Sequence, residues 1–250
     1  MKISLVQCKA STSGIDSTLM EVERLIGQGT GAGIYILPEM FASGQCIDNM
    51  KLAQDMDGQT VSWMKKMSER LDAAIAGSVL ICEDDRYYNR FCFARPDGTV
   101  QTYDKRHLFS YAGENRFITP GSERCIIEFR GVRILPQVCY DLRFPIFSRN
   151  RDDYDIAIYV ANWPVKRQLS WDILLRARAI ENQAYVAGVN IVGQDEFGVY
   201  EGHTALVSPY GEAVVKAEDS KSQIITGALD MERLVHFRSK FPVLNDADIN

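Results

Sequence analysis

Short apolar runs alternate with helix-like spacing along the first third of the chain. Apolar residues recur at intervals of three and four from Leu19 to Ile26, and residues 18–21 have the form of a capping box, which predicts a helix. The same spacing predicts a second helix over about residues 60–73. Three predominantly apolar runs predict buried strands: residues 2–7, 34–37 and 74–81.

The rest of the chain repeats this plan and adds two hairpins, whose turns contain Pro96-Asp97-Gly98 and Pro209-Tyr210-Gly211. A helix is predicted over residues 167–183. Further strands are predicted over residues 132–138, 156–161 and 185–191. This order predicts an α/β fold with two sheets and helices outside, in a single domain over residues 1–250. Residues 234–250 lack such a pattern, and we predict that they form an arm on a neighbouring subunit.

Composition narrows the class of protein. The 250 residues are 46% hydrophobic and 24% charged, which suffices for a substantial core and excludes a disordered chain. The net charge of −5 argues against a nucleic-acid partner, since phosphate neutralisation needs a dense basic face. No window approaches the roughly 18 apolar residues of a membrane span, so we expect a cytoplasmic protein with no membrane partner. The cysteines should then be free, and their spacing does not favour a metal site.

Three residues with reactive side chains stand where predicted strands end. Glu39 follows the second strand, Lys105 follows a hairpin arm, and Cys139 follows residues 132–138. Side chains at the strand ends of layered α/β folds converge on a crevice. A thiolate nucleophile, a carboxylate base and an ammonium that stabilises an oxyanion would together form a catalytic site there. Taken singly, each has an ordinary alternative: a surface carboxylate, a solvated lysine and a core cysteine. Their spacing alone does not join them.

Sequence blocks around these residues resemble the signatures of the nitrilase superfamily. The blocks are LPEM at residues 37–40, YDKRHLF at 103–109 and VCYDLRFP at 138–145, and similarity continues through ANWP and RARAIENQAYV. The ending KFPVLNDAD makes the chain most similar to bacterial omega-amidases. The resemblance implies a four-layer α-β-β-α sandwich and catalysis without a metal or an organic cofactor.

The resemblance also implies roles for residues of this chain. Cys139 would attack an amide carbon, and Glu39 would act as general base and later activate water. Lys105 and the backbone N–H of Tyr140 would hold the oxyanion. Glu114, in the segment YAGENRF, matches a second glutamate of the superfamily and would orient the lysine or the substrate amide.

Several residues are candidates for substrate contacts. Asn162 and Trp163 follow a strand opposite the cysteine block and could wall the pocket, although Trp163 would serve equally as core. Arg143 would brace the turn after the cysteine or bind substrate. A substrate carboxylate needs a cationic partner, and Arg143, Arg116 and Lys166 are open alternatives. The full set of predicted substrate-binding residues is Arg143, Asn162, Trp163, Phe41 and Phe117.

The implied reaction is hydrolysis of the omega-amide of 2-oxoglutaramate or 2-oxosuccinamate to a diacid and ammonia. Alternatives keep the site but act on a nitrile, an N-carbamoyl compound or deaminated glutathione, and a non-catalytic scaffold is a further alternative. A papain-like protease is disfavoured, because His107 and His203 are predicted to be hydrogen-bonded scaffold. We expect a homodimer with contacts through the helix after Asn162 and the C-terminal arm. The sequence leaves open whether residues 41–46 close as a lid.

Overall fold

Two six-stranded sheets pack face to face at the centre of the molecule, for which a computed structural model describes residues 1–9, 14–29, 31–44 and 50–247. The first sheet contains, in spatial order, β14 (Gln223–Ala228), β1 (Lys2–Gln7), β2 (Ile34–Ile36), β3 (Ala74–Glu83), β4 (Arg86–Ala94) and β5 (Val100–Asp104). The second contains β13 (Ala213–Lys216), β12 (Ala205–Val207), β9 (Tyr185–Asn190), β8 (Ile156–Ala161), β7 (Val132–Val138) and β6 (Ile127–Phe129). A separate ribbon pairs β10 (Val192–Asp195) with β11 (Gly198–Glu201).

Both sheets follow one pairing pattern. Three parallel strands lie at the centre, β1–β2–β3 in the first sheet and β7–β8–β9 in the second. An antiparallel edge strand, β14 or β6, flanks one side. An antiparallel hairpin, β4–β5 or β12–β13, flanks the other. The chain therefore builds the same arrangement twice, which confirms the prediction of two sheets.

Side-chain alternation explains why the central strands read as continuous apolar runs. In β8, Ile156, Ile158 and Val160 join the core between the sheets, whereas Ala157 and Tyr159 join the core on the outer face. Successive side chains of a strand point to opposite faces, so a strand covered on both faces needs apolar residues at every position. One central core and two outer cores follow from this pattern.

Helices form the outer layers. α1 (Ile15–Ile26) and α2 (Gln59–Leu71) cover the first sheet, with Leu25 and Met64 in its outer core. α3 (Gln168–Glu181) covers the second sheet through Trp171 and Leu175. The layers are therefore α-β-β-α, as the resemblance implied. Within the described ranges, none of the helices combines the length and the apolar character that a membrane span requires.

The structure corrects the sequence prediction at the first helix and at the short strands. The helix begins at Ile15, before the predicted capping box, and the hydroxyl of Thr18 donates to the carbonyl of Gly14 at 3.0 Å within its first turn. Four strands were not predicted because they are short or half-exposed and lack a long apolar run: β6, β10, β11 and β14.

The predicted C-terminal arm begins inside a helix, α4 (Met231–Lys240). Arg238 ties this helix to its own chain: it donates to the carbonyls of Gln183 at 3.0 Å and Tyr154 at 2.8 Å, and its Nη1 lies 3.1 Å from Asp155 Oδ1. The last three residues of the arm lie outside the described ranges. Packing of the arm on a neighbouring subunit stays a prediction.

Candidate active site

The predicted nucleophile stands on a strained turn at the end of β7. Cys139 has a φ of +46°, in the left-handed region that costs free energy for a residue with a side chain. A short 3-10 turn, Cys139–Arg143, follows at once. Such a conformation persists only where surrounding contacts determine the backbone. Those contacts come from Asp141.

Asp141 is fully buried and joins the cysteine turn to the lysine block. Its Oδ2 accepts hydrogen bonds from the N–H of Val138 and from the hydroxyl of Tyr103, each at 2.9 Å. Its Oδ1 accepts from the N–H of His107 at 2.9 Å and lies 2.8 Å from His107 Nδ1. Because Tyr103 and His107 flank Lys105, one carboxylate fixes the nucleophile's turn relative to the lysine.

Glu39 stands just beyond β2 with its carboxylate at the same centre. Its Oε1 accepts from Lys105 Nζ at 2.9 Å and from Asn89 Nδ2 at 2.7 Å. Its Oε2 accepts from the N–H of Asn162 at 2.8 Å. The three donors belong to β4, to the segment after β5 and to the segment after β8, so tertiary packing fixes the orientation of this buried carboxylate.

Lys105 follows β5 and is enclosed by two glutamates. Its Nζ lies 2.9 Å from Glu39 and 3.0 Å from both carboxylate oxygens of Glu114, whose Oε2 also accepts from the N–H of Phe109 at 2.5 Å. Burial by itself lowers the pKa of Lys105, but the charges of Glu114 and Glu39 outweigh burial and raise the pKa well above its usual value. The ammonium therefore stays charged.

The thiol of Cys139 is protonated at rest. Burial and, after it, the charge of Glu39 raise the pKa of this thiol well above its usual value, and the Lys105 ammonium offsets them only in part. The thiolate is the nucleophilic form, so a base must remove the proton before attack. The Glu39 carboxylate is close enough to this thiol to raise its pKa and is therefore placed to take its proton.

These groups line one cleft, in which the empty space, open solvent included, is about 480 Å³. The structure brings together the predicted trio, Glu114, Tyr140 and three of the five predicted substrate-binding residues. The described residues that line the cleft are Glu39, Met40, Lys105, Phe109, Glu114, Cys139, Tyr140, Arg143, Asn162, Trp163, Pro164 and Arg167.

Trp163 forms a fixed wall of the cleft and also belongs to the outer core of the second sheet. Its N–H donates to Asn190 Oδ1 at 2.7 Å, and its Nε1 donates to the carbonyl of Arg167 at 2.8 Å. The guanidinium of Arg143 lies 4.9 Å from the centre of the Trp163 ring and donates to Ser170 Oγ at 3.0 Å. The two roles considered for Trp163, pocket wall and core, thus coincide.

Phe41 and Phe117 are not among the described residues that line the cleft, which corrects their prediction as substrate-binding residues. The turn after β2 gives Met40 a φ of +43°, so Met40 lines the cleft while Phe41 packs in the outer core against Trp63. Phe117 follows a 3-10 turn and is 44% exposed. Of the predicted lid, residues 41–44 are buried or half-buried, and residues 45–46 lie outside the described ranges.

Sequence reasoning did not assign Met40, Asn89, Phe109, Pro164 or Arg167 to the site. Asn89 was visible only as a single amide in the otherwise hydrophobic or charged strand β4. Phe109 and Arg167 lie in loops and reach the cleft through tertiary packing, so no local pattern marks them. Of the proposed cations, Arg143 lines the cleft, whereas Arg116 and Lys166 are exposed and are not among its lining residues in the described ranges.

The histidines contact the scaffold. His107 stacks on Phe144 with ring centroids 4.0 Å apart, in addition to its contact with Asp141. His203 Nδ1 lies 2.9 Å from Asp172 Oδ2. Across the part of the chain that the structure describes, no group of three or more His, Cys, Asp and Glu side chains is arranged to hold a metal ion. Catalysis without a cofactor stays a prediction.

Comparison with known proteins places this site in a family. The family model for carbon–nitrogen hydrolases matches residues 2–239. The chain belongs to the carbon–nitrogen hydrolase family. Hydrolysis of carbon–nitrogen bonds other than peptide bonds is therefore its class of activity.

Two relatives of this carbon–nitrogen hydrolase carry a named activity. Omega-amidase YafV of Escherichia coli K12 is 45% identical over 251 residues, which cover 99% of this chain and 97% of that protein. A 2-oxoglutaramate amidase of Bacillus subtilis is 33% identical over 86% of this chain and 85% of that protein. Both similarities include all three signature blocks in their span.

A solved structure agrees with the fold. XC1258 of Xanthomonas campestris, a CN-hydrolase superfamily protein whose crystal structure has an arsenic adduct in the active site, superposes with a TM-score of 0.96. It is 40% identical, and the match covers 100% of this chain and 98% of that one. The predicted sandwich of the nitrilase type is thereby confirmed.

Proposed function

We propose that this carbon–nitrogen hydrolase is a cysteine-dependent omega-amidase that converts 2-oxoglutaramate or 2-oxosuccinamate to the 2-oxo diacid and ammonia. One observation carries the proposal: Cys139, Glu39 and Lys105 meet in a single small cleft. The relatives that act as omega-amidase and 2-oxoglutaramate amidase by name support the substrate class.

Acylation begins at the thiol. Glu39 takes the proton of Cys139, and the thiolate attacks the amide carbon. The carbonyl electrons move to oxygen, and this oxyanion is stabilised by the ammonium of Lys105 and the N–H of Tyr140. Collapse of the tetrahedral intermediate breaks the carbon–nitrogen bond. Glu39 returns its proton to the leaving nitrogen, ammonia departs, and a thioester remains on Cys139.

Deacylation uses the same carboxylate. Glu39 accepts a proton from water, and the hydroxide formed attacks the thioester carbon. The second tetrahedral intermediate expels the thiolate, which regains its proton from Glu39, and the product acid then ionises. One buried carboxylate thus serves both half-reactions, and its three hydrogen-bond donors keep it in one orientation throughout.

Glu114 acts as a positioning residue in this scheme. Both of its carboxylate oxygens lie 3.0 Å from Lys105 Nζ. An ammonium has three donors and a flexible stem, so a second carboxylate is needed to fix its direction. We therefore assign Glu114 to the orientation of Lys105 and not to proton transfer.

Ammonia release from 2-oxoglutaramate tests the proposal. Wild type is expected to release ammonia, and Cys139→Ala is expected to lose at least about a thousandfold in kcat, since removal of a nucleophile disables the whole catalytic unit. Cys125→Ala is the matched control, because Cys125 is also a free, half-buried cysteine but lies outside the cleft. Equal rates for wild type and Cys139→Ala would exclude this nucleophile. Ammonia from a nitrile, or carbon dioxide from an N-carbamoyl compound, at a higher kcat/KM would reassign the substrate.

We also infer a homodimer of single-domain, 28.2 kDa chains in the cytoplasm. Helix α3 leaves Leu169, Ile173 and Ile180 exposed, and Val235 and Phe241 are exposed in the C-terminal arm. Exposed apolar side chains that cluster mark interaction surfaces, which supports contacts through α3 and the arm. Free cysteines among the described residues fit a reducing compartment. A single 28.2 kDa species in light scattering at micromolar concentration would contradict the dimer.

A further inference from the structure

The two buried glutamates of the site differ in how many of their acceptor positions are filled. An ionised carboxylate has about four such positions, two on each oxygen. Glu114 uses them all: Oε1 accepts from Lys105 at 3.0 Å and from Asn89 at 3.4 Å, and Oε2 accepts from Lys105 at 3.0 Å and from the N–H of Phe109 at 2.5 Å. Glu114 therefore has no position left for a proton.

Glu39 is filled on one oxygen only. Its Oε1 accepts from Lys105 Nζ at 2.9 Å and from Asn89 Nδ2 at 2.7 Å, which uses both positions of that atom. Its Oε2 accepts from the N–H of Asn162 at 2.8 Å, and no other N–H or O–H donor among the described residues reaches it. One acceptor position of Oε2 therefore remains for a proton.

The thiol lies on the side of this open oxygen. Cys139 and Glu39 line the same cleft. The backbone of Asn162, whose N–H donates to Oε2, also lowers the pKa of the Cys139 thiol, as an N–H beside a thiolate does. Oε1 instead faces the ammonium of Lys105, which stabilises the oxyanion in the proposed reaction. The two oxygens of Glu39 thus face different partners.

Asn89 is placed to maintain this division. It is completely buried in β4, on the strand face that also brings Phe91 and Phe93 into the core between the sheets. Its Oδ1 has no hydrogen-bond partner in the described ranges, which costs free energy for a buried amide. An apolar side chain would avoid that cost, so the contribution of this amide comes from its Nδ2, which reaches both glutamates.

We propose that Glu39 exchanges the protons of the reaction through Oε2 alone, and that Asn89 is the positioning residue that closes Oε1 to them. In acylation the proton of Cys139 Sγ moves to Oε2 and from there to the leaving nitrogen. In deacylation a proton of water moves to Oε2 and then returns to Sγ. This inference rests on the proposed function for the role of Glu39 as the base, and it adds which oxygen acts and which residue determines it.

The pH dependence of ammonia release from 2-oxoglutaramate tests Asn89. Asn89→Leu fills a similar space without a donor, so the ionised form of Glu39 loses a hydrogen bond. The acid limb of the kcat/KM profile reports the ionisation of the essential base, and it should move to higher pH by about one unit. On that limb the loss is about tenfold, whereas the plateau above it should stay within about threefold of wild type. A uniform loss at every pH, or a raised kcat/KM on the acid limb, would overturn the proposal.

Asn150→Leu is the matched control. Asn150 is also a completely buried asparagine, and its Nδ2 donates to the carbonyls of Tyr154 at 3.1 Å and Asn182 at 2.9 Å, but it does not line the cleft. Its loss should lower the urea midpoint of unfolding and leave the acid limb in place. Equal shifts of the limb in Asn150→Leu and Asn89→Leu would refute the role of Asn89, because loss of stability alone would then move the limb.

A second variant and a second substrate keep the test independent of folding and of the substrate class. Asn89→Val is smaller and suited to a strand, and it should shift the limb as Asn89→Leu does. p-Nitrophenyl acetate acylates a thiol without an amide: the thiolate attacks the ester carbon, and p-nitrophenolate leaves with the electron pair of the broken carbon–oxygen bond.

The burst of p-nitrophenol, corrected with Cys139→Ala, should show the same shift of its acid limb in both Asn89 variants. An unshifted limb in a folded variant would refute the role of Asn89. Absence of ammonia release from 2-oxoglutaramate by wild type would instead refute the omega-amidase proposal, and the ester burst would still decide the role of Asn89.

Discussion

The two halves of the molecule build the same six-strand arrangement but bring different groups to the cleft. The first half and the loop after it supply Glu39, Lys105 and Glu114, which are buried and fully paired with one another. The second half supplies a thiol that is uncharged at rest and two half-exposed arginines without ion pairs in the described ranges. Buried charged side chains that pair with one another can hold catalytic groups in position. Charged side chains without an ion-pair partner can bind a ligand of opposite charge.

The difference begins after equivalent strands. β1 and β7 occupy the same position in their sheets, and α1 lies between β1 and β2. Between β7 and β8 no α-helix forms in the described chain, and the turn of Cys139 starts directly after Val138. A helix satisfies its own backbone groups, whereas this turn depends on the buried carboxylate of Asp141. The second half thus has a strained turn between β7 and β8, whereas the first half has helix α1 between β1 and β2. Functional sites are where such local departures are expected.

Removal of the central charge should have the largest effect. Lys105→Met leaves Glu39 and Glu114 buried and close together without their shared cation. Loss of one member of a buried ion-pair network costs about 3–5 kcal/mol in the free energy of unfolding, because the remaining charges are uncompensated. Urea denaturation should show this loss, and ammonia release should be abolished.

Arg130→Met provides the contrast for that variant. Its partner is the exposed Asp72, with Nη2 to Oδ1 at 2.7 Å, so the free energy of unfolding should change by less than about 1 kcal/mol. If Lys105→Met were as stable as Arg130→Met, the buried charges would not be coupled as their distances imply, and the contrast between the two halves would fail.

The sequence was sufficient for the fold and for the centre of the site. Strands covered on both faces left predominantly apolar runs, so β7 and β8 were predicted to the residue. Cys139 follows β7 directly, Lys105 follows the hairpin strand β5, and Glu39 lies three residues after β2. The resemblance supplied the link between them that spacing could not.

The side chains that form the walls of the cleft were harder to predict, because the conformation of turns, and not the periodicity of strands, determines their orientation. Phe41 was predicted to contact substrate, but it packs in the outer core, and its neighbour Met40, with a positive φ, lines the cleft instead. Arg167 belongs to a short 3-10 turn, Val165–Arg167, and only tertiary packing sets its ring partner Phe109. The local sequence pattern therefore predicts which positions are buried, but it does not identify cleft residues that lie on loops.

The raised pKa of the thiol leads to a prediction of intermediate size, for the rate at which Cys139 is alkylated. Burial and the charge of Glu39 raise the pKa of Cys139, so its alkylation rate by iodoacetamide should rise about tenfold per pH unit and continue to rise above about pH 8.5, where an ordinary thiol levels off. Glu39→Gln removes one of the two causes and leaves the Lys105 charge in place. Its rate profile should shift to lower pH. An unshifted profile would mean that the first half does not control the ionisation of the nucleophile in the second.

The smallest change in the free energy of unfolding is expected for a side chain that has no ion-pair partner. Arg167→Met removes a stacked guanidinium without leaving a carboxylate unpaired, so the free energy of unfolding should change by no more than about 1 kcal/mol, the usual worth of a cation–π contact at a partly exposed site. Urea denaturation measures the change beside that of Lys105→Met. A loss of several kcal/mol would show that Arg167 stabilises the fold, whereas a small change would confirm that this guanidinium contributes little beyond its contact with Phe109.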